Sequence, residues 1–275
     1  MSKLIPKSIG LVVNLISLIS AKHAATLAMK IFSTPRKGKL DDEAVDYLNT
    51  GFQEEIPFLD YTLMSYRWPG KKETILLVHG WESNSFRWKD LVEILKTKDY
   101  NIVTIDGPAH GQSGNSTFNT LEYADCINKA AEKFKANIII GHSVGGVASG
   151  ITQFKYQLPS VKKLVLLGAP SNFKGLFERY IVMMGYNEKI AQAMNQYCLK
   201  TYGHLPSYYC IENFSKNIEA QVLIIHDRFD NIIPYSDALE FKKHLKKSEL
   251  IKTKGLGHKL KCEDVYEHIT DFLST

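Results

Sequence analysis

Gly141-His142-Ser143-Val144-Gly145 follows directly on the apolar run Asn137–Ile140 and opens a helical stretch that reads Val144–Gln157. A buried strand, a hinge of one residue and a helix form the turn in which a serine hydroxyl is held out above the end of a sheet. The glycines on either side are needed because side chains there would meet neighbouring backbone. The helix N-terminus behind the serine favours negative charge that develops in front of it. Ser143 is therefore the candidate nucleophile, and the bland reading of it is a helix N-cap.

A serine hydroxyl attacks poorly until a base takes its proton, and the base needs an acid to hold its tautomer. Both partners are available downstream. The apolar run Val222–Ile225 ends in a polar turn, His226-Asp227-Arg228-Phe229-Asp230, and Pro234 starts the next helix. Either Asp227 or Asp230 could serve as the acid. The base candidate is His258, in the glycine-punctuated loop Gly255-Leu256-Gly257-His258 after the short strand Leu250–Thr253. A tetrahedral oxyanion needs two fixed donors. The N–H of Val144, next to the nucleophile, is one, and the N–H of Trp81, in the turn after the apolar run Thr74–His79, is the second.

The rest of the chain alternates in the same way. Leu59–Trp68 reads as an edge strand, and Thr74–His79, Ile102–Asp106, Ile138–Ile140, Lys163–Gly168 and Val222–His226 read as strands. Helical patterns lie between and after them, at Phe86–Lys98, Thr120–Lys135, Ser236–Leu245 and Glu263–Leu273. Strands alternating with helices predict an α/β fold, with a mostly parallel central sheet and helices on both faces. Its ligands would bind at the carboxyl ends of the strands, where these motif residues fall.

Four stretches together carry a resemblance: His79-Gly80-Trp81, Asp106–Ser113, Gly141–Gly146 and the Asp230/His258 pair. Over about residues 58–275 the chain resembles an α/β-hydrolase-fold serine hydrolase, in which nucleophile, acid and base follow in the order Ser143, Asp230, His258. The resemblance favours Asp230 over Asp227, by its spacing to Pro234 and its place about 28 residues before the histidine. It makes Asp106–Ser113 a structural loop. The chain is also similar to a bacterial group of hydrolases whose N-terminal helix ends in Thr-Pro-Arg, here Thr34-Pro35-Arg36. These likenesses imply cleavage of a small-molecule carboxylic ester or thioester through an acyl-enzyme, with no cofactor. An aminopeptidase or amidase on the same scaffold, or a non-catalytic binding protein, is the alternative. The former would need a carboxylate such as Glu178, Glu188 or Glu212 to hold a substrate amine.

Composition narrows the classes further. A chain of 275 residues with 44% hydrophobic and 23% charged residues fills one large α/β domain. The net charge of +5 is mild, and the lysines at 242–247 and 252–261 lack interleaved aromatics. They read as a solvated surface, and no nucleic-acid partner is expected. The four cysteines form no Cys-x-x-Cys, and the histidines lack metal-ligand spacing, so no metal site is expected.

Three segments follow. Residues 36–170 and 219–275 form the core, and residues 171–218 are too many for one crossover and read as an inserted helical cap. Residues 1–35 read as one long N-terminal amphipathic helix, with Val12, Val13, Ile16 and Ile19 on one face and Asn14 and Ser17 on another. This helix is expected to dock on the domain or to rest on an anionic bilayer as a peripheral contact. Free thiols point to a cytoplasmic location. The alternative is export, with residues 1–24 as a cleaved signal peptide.

Overall fold

A computed structural model of the chain describes residues 4–275. The chain forms two compact units. One comprises Pro35–Ser171 and Phe214–Thr275, and the other joins the residues as far as Thr34 to Asn172–Asn213.

The larger unit is built on one eight-stranded sheet. Its strands are β1 (Phe52–Phe58), β2 (Tyr61–Trp68), β3 (Thr74–Val78), β4 (Asn101–Ile105), β5 (Ile138–His142), β6 (Lys163–Leu167), β7 (Gln221–Asp227) and β8 (Ser248–Thr253). Their order across the sheet is β1-β2-β4-β3-β5-β6-β7-β8. The β1–β2 and β2–β4 pairs are antiparallel, and all later pairs are parallel. The edges are therefore β1 and β8, and β1 takes the edge place that the sequence suggested for Leu59–Trp68. Leu59 and Asp60 make the hairpin turn, and β2 lies one place further in.

Strands β3, β4 and β5 are buried at every position, as strands covered on both faces must be. Ile75, Leu77, Ile138, Ile140, Val165 and Leu223 pack one face against Trp88, Leu91, Leu95, Val265 and Ile269. Those partners come from the helical segments Ser85–Thr97 and Glu263–Ser274. Helices Thr120–Phe134, Val144–Tyr156 and Tyr235–His244 contact β3, β5 and β7 respectively. Because β3 to β7 run parallel, their carboxyl ends share one edge, and β8 ends on the same side.

The smaller unit holds helices Leu4–Ile19, Ala21–Ser33, Phe173–Met184 and Glu188–Tyr202. The single helix expected over residues 1–35 is two helices, and residues 1–3 of that expectation lie outside the described residues. Ser20 is extended, with φ −148°, and its hydroxyl accepts from the His23 N–H at 3.4 Å, which caps the second helix. Small residues on that second helix, Ala24, Ala25 and Ala28, let it pack closely on Phe177, Tyr180, Ile190 and Met194. Phe32 lies between the rings of Phe177 and Tyr180, with centroids 5.1 and 4.7 Å away.

The first helix docks through its small and polar side. A Cβ on Gly10 would stand 1.7 Å from the Met184 carbonyl oxygen, so the backbones touch there. Asn14 donates to the Gly185 carbonyl at 2.8 Å and accepts the Asn187 N–H at 3.0 Å. The Asn187 amide donates to the Ser17 hydroxyl at 3.0 Å. The polar positions thus turn inward together with Val13 and Ile16 of the expected apolar face, while its other members, Val12 and Ile19, are 55% and 92% exposed.

Candidate active site

The loops that leave the carboxyl ends of β3, β4, β5, β7 and β8 carry the polar residues singled out above. Ser143 follows β5 directly and has φ +54° and ψ −125°, a conformation unfavourable for a residue with a side chain. Its own N–H donates to the Leu167 carbonyl of β6 at 2.8 Å, and the Gly146 N–H closes on its carbonyl at 2.9 Å. These bonds hold the strained turn in place. Gly145 is needed for its lack of side chain, since a Cβ there would lie 2.3 Å from the His79 carbonyl oxygen. Gly145→Ala is expected to cost about 1–3 kcal/mol through that overlap, because both sides are backbone in a packed core. A urea midpoint equal to that of the parent protein would contradict the close approach.

Ser143, His258 and Asp230 are brought together. The His258 Nε2 lies 3.0 Å from Ser143 Oγ, and its Nδ1 lies 2.6 Å from Asp230 Oδ2. A carboxylate can only accept, so Nδ1 carries the proton and Nε2 presents its lone pair to the serine hydroxyl. The other Asp230 oxygen accepts the N–H groups of Ile232 and Ile233 at 2.8 and 3.0 Å. Burial works to raise the Asp230 carboxyl, but His258 and these two amides outweigh it and hold it below its ordinary value.

Among the described residues, the Asp227 carboxylate makes no hydrogen bond to Ser143, His258 or Asp230, and only its main-chain carbonyl accepts the Asp230 N–H, at 3.2 Å. Its Oδ2 accepts from the Thr253 hydroxyl and the Leu256 N–H, both at 2.9 Å, and its Oδ1 accepts the Phe229 N–H at 2.9 Å. It ties the start of the His258 loop to the end of β7. Two further residues hold that loop. His142 Nε2–H donates to the His258 carbonyl at 2.8 Å, and Arg87 donates to the Lys259 carbonyl at 3.0 Å. Arg87 carried no sequence signal, because 172 residues separate it from Lys259.

The turn His79-Gly80-Trp81 lies beside the serine: a Cβ on Gly80 would be 3.0 Å from Ser143 Cβ. Among the described residues, neither the Trp81 N–H nor the Val144 N–H donates to a protein acceptor. Three bonds shape this turn. His79 Nδ1–H donates to the Gly80 carbonyl at 2.7 Å while its Nε2 accepts the Gly107 N–H at 2.8 Å. His110 accepts the Glu82 N–H at 3.0 Å. Asp106 is committed to structure, accepting the Ser85 and Gln112 N–H groups and the Tyr66 hydroxyl.

Burial pushes the His79 imidazole down to about 4, and burial together with neighbouring His79 pushes His110 down to about 3. Both are neutral in the folded protein, whereas unfolded histidines titrate near 6.5. Below that pH the unfolded chain binds more protons than the folded one. Stability is therefore lost as pH falls from about 6.5 towards 4, by about 1.4 kcal/mol per pH unit for each histidine. The urea midpoint should be clearly lower at pH 5 than at pH 7.5, and equal midpoints would show that these imidazoles are not buried neutral.

A family model for the alpha/beta hydrolase fold matches residues 73–193, and one for TAP-like protein matches residues 186–275. The AB hydrolase superfamily protein YisY of Bacillus subtilis is 23% identical over 69% of this chain and 86% of its own length. Putative esterase/lipase 3 of Mycoplasma pneumoniae is 31% identical, over 43% of this chain and 44% of its own. The crystal structure of a membrane phospholipase A, a bacterial virulence factor, superposes with a TM-score of 0.65 at 17% identity over 97% of each chain. The chain is an α/β-hydrolase-fold protein, with relatives named as esterases and lipases.

Proposed function

We propose that the chain is a serine hydrolase that cleaves a carboxylic ester or thioester through an acyl-enzyme. The observation that carries this reading is the continuous hydrogen-bonded run from Asp230 through His258 to Ser143, with the serine in its strained turn. Ser143 Oγ attacks the carbonyl carbon as His258 Nε2 takes its proton. The charge that appears on the carbonyl oxygen is met by the N–H groups of Val144 and Trp81. His258 then hands the proton to the leaving alcohol or thiol, and the acyl group stays on Ser143. In the second half, His258 takes a proton from water, the resulting hydroxide attacks the acyl carbon, and the acid product leaves as Ser143 regains its proton. Asp230 keeps the imidazole in the right tautomer and balances its positive charge.

A fluorophosphonate probe should label the protein at Ser143, and p-nitrophenyl esters varied in acyl length should be turned over far faster than aminoacyl-anilides. Labelling without ester turnover, together with anilide turnover, would move the reading to an amidase. No labelling at all would leave a binding protein on this scaffold.

A further inference from the structure

The first helix, Leu4–Ile19, is the part of the molecule whose surface the hydrolase chemistry does not use. Ile5, Leu11, Val12, Leu15, Leu18 and Ile19 recur at helical spacing and are between 49% and 92% exposed. The opposite side, with Gly10, Asn14 and Ser17, is occupied by the bonds to residues 184–187. The helix therefore cannot turn its aliphatic strip inward without breaking those bonds. Val182 and Met183 are exposed as well and immediately precede Met184, whose carbonyl meets Gly10.

Charge selects the occupant. Six lysines and one arginine precede the first acidic residue of the chain, Asp41. Lys7, on this helix, and Lys22 and Lys30, on the next, are exposed, and none has a carboxylate partner among the described residues. The strip itself is wholly aliphatic, without the Trp, Tyr or Arg anchors that protein interfaces favour. An aliphatic face bordered by lysines is the composition of a helix that lies in a bilayer surface with its cations among anionic headgroups. Among the described residues, no helix is long and apolar enough to cross a membrane. We infer that the exposed face of helix Leu4–Ile19 seats the protein on an anionic lipid surface, whatever the chemistry at Ser143.

The test is co-sedimentation of the full chain with vesicles of phosphatidylcholine alone and of equal parts phosphatidylcholine and phosphatidylglycerol. Binding is expected to the mixed vesicles, to weaken with added salt, and to fall about tenfold or more in the Leu11→Ser/Leu15→Ser/Leu18→Ser variant. The same variant should keep its hydrolysis of a water-soluble short-chain ester, and Lys7→Glu/Lys22→Glu should lose the preference for anionic lipid. Failure of the parent protein to sediment with the mixed vesicles would overturn the proposal. So would a parent dimer in sedimentation velocity that the serine variant dissolves, since a second copy would then cover the strip. Should the serine variant misfold, Leu18→Trp replaces it. Its added emission should be quenched by lipids with brominated acyl chains, and an unquenched signal overturns the proposal equally.

Discussion

Ser143→Ala is expected to lower kcat on an activated ester by about 10⁴- to 10⁶-fold and to abolish fluorophosphonate labelling. The effect is large because no other hydroxyl occupies the place that Ser143 Oγ takes, 3.0 Å from His258 Nε2. The residual rate would come from the binding site and the two backbone donors acting on water. The fold should survive. The turn is held by main-chain bonds from the Ser143 N–H and to its carbonyl, which alanine keeps. Among the described residues, Ser143 Oγ itself is bonded to His258 alone. The check is paired measurement of turnover and urea midpoint on the same preparation. Near-parental turnover would remove Ser143 as nucleophile. A collapse of the midpoint would show that the serine supports the turn through its side chain.

Asp230→Asn should cost about 10⁴-fold in kcat with a small change in stability. An asparagine oxygen can still accept from Ile232 and Ile233. The amide nitrogen would then face His258 Nδ1, and since it can only donate, it would force the proton to Nε2. The imidazole could no longer take the serine proton. Asp227→Asn should do the opposite. It places an amide or a weakened acceptor against the Leu256 N–H and the Thr253 hydroxyl, at a cost of about 1–3 kcal/mol in stability and a smaller loss of rate. A complete set of kcat values and midpoints for the two variants checks both at once. If Asp227→Asn loses the rate and Asp230→Asn loses only stability, the acid is Asp227.

The sequence by itself determined the layers of this molecule and the places where its chemistry could lie. The elbow at Gly141–Gly145 and the buried runs of β3 to β7 are local patterns, in which each residue reports its own burial and the period is two or 3.6. The fold class follows from those patterns and from the alternation of strands with helices. β1 was missed because Phe52–Phe58 is exposed at four of its first five positions and buries only Ile56. Its existence depends on pairing with β2, not on an apolar pattern of its own. Asp227 and Asp230 share one short turn, so no local signal separates them. Their roles part only when β8 lies beside β7 and brings His258 to one carboxylate and Leu256 to the other.

The N-terminal helices depended most on the tertiary structure. Helix Leu4–Ile19 is apolar around much of its circumference, so hydrophobic periodicity does not say which side faces in. Gly10, Asn14 and Ser17 decide it, through partners about 170 residues away whose backbone offers the one close approach and the matching donors and acceptors. A hydrogen-bonded joint of that kind has direction, whereas burial of aliphatic area has none. The polar side therefore went inward together with Ile9, Val13 and Ile16, and the remaining aliphatic strip was left on the surface.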